Sequence, residues 1–127
     1  MREVAGPGTS QLSHATAAVR AHLAPTPLVP VWLPTDDGGT VSALVKLESA
    51  QPTGSFKVRG ALAALDAYTA DGAGGAGGGV ARVVTASAGN HGLGVAWAAG
   101  RLGVPATVGV PTYASSAKVE ALAARPV

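Results

Sequence analysis

"VARVVTASAGNHGLGVAWAAGRLGVPATVGVP", residues 80–111, is the stretch on which the fold turns. Its first part, 80–86, is a short apolar run of the kind buried in a parallel sheet, and "SAGN" (87–90) is a turn. "HGLGVAWAAGRLG" (91–103), rich in alanine, glycine and aliphatic residues, reads as a helix, which Gly103 and Pro105 stop. "PATVGVP" (105–111) reads as a second strand. A strand, a helix and a strand at this spacing predict parallel pairing with a right-handed crossover.

Working outward, "SSAKVEALAA" (115–124) adds a helix behind a serine cap. On the other side, "DGAGGAGGGV" (71–80) is low-complexity, and 71–79 reads as a flexible surface connector. A phosphate loop suits it poorly, because such loops run from a strand into a helix, whereas this one follows a helix and precedes a strand. "SFKVRGA" (55–61) opens that helix, with Ser55 as its expected N-cap and an end near Ala70. "QPTG" (51–54) is a loop and "VSALVKLE" (41–48) a strand, expected to lie parallel to 80–86 and 106–110. "TDDGG" (35–39) is a turn, three prolines hold "PTPLVP" (25–30) extended, and "SHATAAVRAHLA" (13–24) is a helix capped by Ser13. The fold class is therefore α/β, a parallel sheet with flanking helices.

The 127 residues allow one ordinary domain at most. They are 47% hydrophobic and 13% charged, with a mean hydropathy of +0.31, which excludes a disordered chain. Nine basic and seven acidic residues leave a net charge of +2 without a basic run, so no nucleic-acid partner is expected. No cysteine is present, which removes disulfides and thiolate metal sites, and no metal is expected. "MREVAGPGTS" lacks the apolar core of a secretory signal, and Arg101 and Pro105 break the most apolar region, so no membrane segment is expected. The default location is the cytoplasm.

Two helix starts carry the chemistry. Lys57 sits in a first turn, where the macrodipole disfavours a cation; an amine kept uncharged there is a nucleophile toward carbonyls. A solvated lysine beside a cap is the plainer alternative. "SAGN" lies beyond the carboxyl end of a strand, where open α/β sheets bind ligands and helix amides point outward. Ser87, Ala88 and Gly89 let an anion approach the backbone, and Asn90 adds a side-chain donor, although such turns also serve simply as caps. A small nucleotide-binding module would use the same turn. His14 and His22 lie in the N-terminal helix without a partner pattern and receive no role.

"LESAQPTGSFKVRGA" (47–61) followed by "SAGNHG" (87–92) resembles the β-family, or fold type II, pyridoxal-phosphate enzymes, whose fold is that of tryptophan synthase β. The similarity continues through "GVAWAAGRLGVPATVGVPTYASSAKVEAL" (94–122) and reaches back to "PTPL" (25–28). Val58 after the lysine and His91 after Asn90 resemble threonine/serine dehydratases and serine racemases; cysteine-synthase relatives show aspartate and "TSGNTG" there. The resemblance implies that Lys57 carries pyridoxal 5'-phosphate covalently and that Phe56 lines it. It implies that Asn90 bonds the ring 3'-oxygen, and that Ser87, Ala88, Gly89, Asn90 and His91 surround the carboxylate of a threonine- or serine-type substrate. The implied reaction is β-elimination to a 2-oxo acid and ammonia, with amino-acid racemisation as the alternative. Relatives also have a glycine-rich phosphate loop and a pyridine-nitrogen ligand further along, and are commonly homo-oligomers. Residues 1–56 are thus expected to begin a large cofactor domain, and 57–127 to supply the lysine helix and most of a small one. The chain is expected to be an N-terminal fragment inactive alone, the alternative being a non-catalytic remnant.

Overall fold

A computed structural model describes residues 6–70 and 82–124; the expected connector at 71–79 lies outside the described residues. The elements are α1 (Thr9–His22), β1 (Leu28–Pro34), β2 (Thr40–Lys46), a 3₁₀ turn (Glu48–Ala50), α2 (Lys57–Ala70), β3 (Val83–Ala86), α3 (Asn90–Leu102), β4 (Ala106–Gly109) and α4 (Ser116–Ala123). β3 and β4 pair in parallel around α3, from Val83 opposite Ala106 to Ala86 opposite Gly109, as the pattern of 80–111 predicts. The ladder is extended at its carboxyl end by the Ser87 N–H, which donates to the Gly109 carbonyl at 2.9 Å. α3 stops where Gly103 enters the left-handed region at φ 67°, and the Val104 N–H caps the Ala99 carbonyl before Pro105.

The core lies between α2 and α3. Val58 and Leu62 are fully buried, each stabilising the fold by roughly 1.5–3 kcal/mol relative to an exposed side chain. Ala96, Ala98 and Ala99 offer almost no side chain, so α3 approaches α2 closely. α1 lies along α2, and its His14 Nε2 meets the Asp66 carboxylate at 2.9 Å, a partner that the pattern of neither helix could reveal.

Two sequence expectations are corrected. Residues 41–47 do not join the parallel sheet: β2 pairs antiparallel with β1, Leu28 opposite Lys46 through Pro34 opposite Thr40, in a separate two-stranded ribbon. The turn residues act as read, with Gly38 at φ 80° between them, but they close a hairpin. Apolar side chains of this ribbon face outward, Trp32 at 72% and Leu44 at 64% exposure. The first helix starts at Thr9, ahead of Ser13. Gly8 is its N-cap, and Gln11 Oε1 reaches back to accept the Gly8 N–H at 2.8 Å, a bond that a backbone donor can make without a serine.

Candidate active site

Lys57 is the first residue of α2, exposed, with Nζ 4.8 Å from the centre of the Phe56 ring. Ser55 does not cap this helix: its hydroxyl is buried and has no hydrogen-bond partner. The start of α2 is anchored instead through Glu48, whose carboxylate accepts from Arg59 Nε at 2.7 Å and Nη2 at 3.0 Å. Thr26 Oγ1 donates to the same carboxylate at 2.7 Å while accepting from Lys46 Nζ at 2.7 Å. Four segments thus converge one turn from Lys57. The Arg59 guanidinium first, and the Thr26 hydroxyl second, hold the Glu48 carboxyl down to about 2 from 4.5. A carboxylate lowered on folding stabilises the fold above its unfolded value, and that contribution is lost as pH falls. Denaturant unfolding should therefore show stability dropping between pH 4.5 and about 2, and Glu48→Gln should flatten the profile across that window. An unchanged slope in the variant would remove the anchor.

The second half of the site is the turn after β3. Ser87 Oγ accepts the Gly89 N–H at 3.2 Å, and Gly89 is the N-cap of α3. The amides of Asn90, His91 and Gly92 then have no intrahelical acceptor. Two glycines tie this helix to its surroundings. A Cβ on Gly92 would stand 2.4 Å from the Ser87 carbonyl oxygen. A Cβ on Gly94 would stand 3.1 Å from the Lys57 carbonyl group and from the Val58 nitrogen. α3 thereby fixes the turn and the lysine relative to one another.

A cleft of about 390 Å³ opens between α2 and the β3–α3 corner. Phe56 and Lys57 line one side; Thr85 and His91 line the other, joined by a 3.0 Å hydrogen bond between Thr85 Oγ1 and His91 Nε2. Three of the site residues read from the sequence, Phe56, Lys57 and His91, therefore share one cavity. Ser87, Ala88, Gly89 and Asn90 form the adjoining turn and are not in its lining. Sequence reasoning missed Thr85, Gly92 and Gly94. The even spacing of the two glycines inside a helical pattern was the available signal, since glycine there needs a packing reason.

The profile of the "Pyridoxal-phosphate dependent enzyme" family matches residues 19–124. The chain belongs to that family. Among curated relatives, it is 44% identical to the biosynthetic L-threonine dehydratase of Escherichia coli over 79 residues, which is 62% of this chain and 14% of that protein. It is 41% identical to a human L-serine dehydratase/L-threonine deaminase over 81 residues, 64% of this chain and 23% of that one. Among solved structures, a pyridoxal 5'-phosphate-dependent aspartate racemase superposes with a TM-score of 0.75 at 32% identity, covering 91% of this chain and 34% of that one. Maize serine racemase superposes at 0.71 with 28% identity, covering 91% and 33%. The chain thus spans less than a quarter of these two curated relatives and about a third of the two structures. The fold is that of fold type II pyridoxal-phosphate enzymes.

The family's cofactor fits what the cleft offers. Its volume lies within the roughly 300–1,000 Å³ of small-molecule sites, its lining is mostly apolar, and its one primary amine lies beside an aromatic ring. No helix among the described residues is long and apolar enough to cross a membrane.

Proposed function

We propose that this chain carries the lysine-bearing part of a pyridoxal 5'-phosphate-dependent ammonia-lyase that converts a threonine- or serine-type amino acid to a 2-oxo acid and ammonia. The observation that carries the reading is the shared cleft, in which Lys57 and Phe56 face a wall bearing His91. Lys57 Nζ would hold the cofactor covalently, Phe56 would give its ring a flat apolar surface, and the Asn90 side-chain amide would bond its 3'-oxygen. The bound cofactor supplies an electron sink for the charge left at the substrate's Cα. Ser87, Ala88, Gly89, Asn90 and His91 receive the substrate carboxylate, favoured by the free amides and positive end of α3. Lys57 Nζ, the primary amine on the cleft wall, would serve as the base toward the substrate's Cα proton. In this reading residues 1–56 belong to a large cofactor domain and 57–127 to a smaller one. The full-length enzyme is a cytoplasmic homo-oligomer without nucleic-acid or membrane partners.

Likeness to the aspartate and serine racemases supports a second reading, in which the proton returns to Cα and no group is eliminated. A chimaera separates the two. The matched stretch of the E. coli threonine dehydratase is replaced by the corresponding stretch of this chain, and the purified product is assayed with L-threonine and L-serine. Release of 2-oxobutanoate or pyruvate, abolished by Lys57→Ala, is the expected result. Formation of D-serine without oxo acid selects the racemase. A folded, cofactor-loaded chimaera that does neither overturns both.

A further inference from the structure

α2 begins without the devices that usually hold a helix start. Ser55 makes no capping bond, and the first turn carries no acidic side chain to meet the positive end of the helix. A cation, Lys57, stands there instead. Amides at a helix start have no acceptor inside the helix, and here the Arg59 N–H closes the turn by donating to the Phe56 carbonyl at 3.0 Å. Left to itself, such an end frays.

Glu48 supplies from another element what the turn lacks. It lies on the 3₁₀ turn, and both of its oxygens grip Arg59, from Nε at 2.7 Å and from Nη2 at 3.0 Å. Such a fork fixes the angle of the guanidinium as well as its distance. The carboxylate is itself clamped. The buried Thr26 donates to Oε1 at 2.7 Å, the buried Gln51 donates to Oε2 at 3.4 Å, and Lys46 Nζ lies 3.7 Å from Oε1. Arg59 is therefore tied to a held group and not to a mobile surface acid, and its turn is the one that presents Phe56 and Lys57 to the cleft. We propose that Glu48 is a positioning residue for Lys57: through Arg59 it keeps the first turn of α2 closed, so that the amine stays beside the Phe56 ring on the cleft wall. Its bearing on the chemistry rests on the reading of Lys57 as the cofactor-bearing amine; the state of the turn does not.

Amide hydrogen exchange, followed by NMR on the 127-residue chain, reads the turn directly. The Arg59 amide is expected to be protected in the wild type. Glu48→Gln, which keeps the shape and removes the charge, should speed its exchange by about tenfold or more. Leu62→Val, which loosens the buried side of the same helix, is the control for general loss of stability and should leave that amide unchanged. Attachment of pyridoxal 5'-phosphate at Lys57, trapped with borohydride at rising aldehyde concentration, should lose maximal rate in Glu48→Gln and keep it in Leu62→Val. An unprotected Arg59 amide in the wild type overturns the proposal without any variant. So does an amide that exchanges as in the wild type in folded Glu48→Gln, or one that speeds up equally in both variants. Undiminished labelling of Lys57 beside an opened turn overturns it too. Should Glu48→Gln not fold, Arg59→Lys, which keeps the charge and loses the fork, is read by the same criteria. A wild type that takes no label at Lys57 strikes the proposed function, and the exchange result still decides the turn.

Discussion

Borohydride reduction of the chain in the presence of pyridoxal 5'-phosphate is expected to leave the label on Lys57, and Lys57→Ala to remove it. The contrast with Lys46 makes the expectation sharp. Lys46 Nζ donates to the Thr26 carbonyl at 3.1 Å and to its hydroxyl at 2.7 Å, and lies 3.7 Å from Glu48. An ammonium so engaged must give up these contacts before its nitrogen can attack a carbonyl. Lys57 is exposed on the wall of the cleft, and the aromatic face of Phe56 is the contact it keeps. An aldehyde on a flat ring meets both the nucleophile and an apolar surface there. Peptide mapping reads the position of the label. Preferential modification of Lys46 would mean that accessibility in the cleft does not govern reactivity, and the assignment of Lys57 would fall with it.

Gly92→Ala is expected to be the most damaging single methyl group in the chain's central helix. In an exposed helix interior, replacing glycine by alanine stabilises by up to about 1 kcal/mol. At Gly92 the added carbon would meet the Ser87 carbonyl oxygen at 2.4 Å and Val108 at 3.1 Å. The first of these is backbone and cannot rotate away, so the turn after β3 must shift or the helix must move off it. Overpacking of this kind costs about 3 kcal/mol. Gly94→Ala is milder, at 3.1 Å from the Lys57 and Val58 backbone, and its effect should appear as slower labelling of Lys57. Gly60→Ala is the counter-case. Nothing stands within 4 Å of its added carbon, and it should raise stability by about 0.5–1 kcal/mol. Urea unfolding of the three variants gives the order directly; Gly92→Ala at or above wild-type stability would refute the steric account.

Residues 82–124 were legible because each element there is stated by its own sequence: an apolar run, small residues at helical spacing, a left-handed glycine with a proline two residues on. Lys57 and His91 were legible as a pair through the family resemblance, and the cleft brings them together. The ribbon was not legible, since alternation marks a strand but names no partner or direction. Its prolines gave extended chain without a strand. Pro30 was read as holding the chain extended and not as part of a strand, yet Pro30 and Pro34 are four residues apart and fall on the same side of β1, where an edge position spares the missing donors. The Glu48–Arg59 anchor was hidden for another reason: a 3₁₀ turn and a loop separate its members, so no continuous helix or strand relates them. Thr85 was read only as part of a buried strand, because nothing in a strand pattern tells which hydroxyl will find an imidazole six residues on.

The outward-facing ribbon carries a consequence for handling the protein. A strand with an open edge is a template for further strands, and natural sheets protect such edges with proline, charge or a covering element. β1 contributes two prolines to that protection. β2, from Thr40 to Lys46, has none, and its only charged residue is the terminal lysine. Val41, Leu44 and Val45 give it exposed apolar surface on both faces. Precipitation in concentrated samples would therefore grow from β2 and spare β1. A charged residue at Ser42, exposed and opposite Trp32 in the register, guards that edge without touching the cleft.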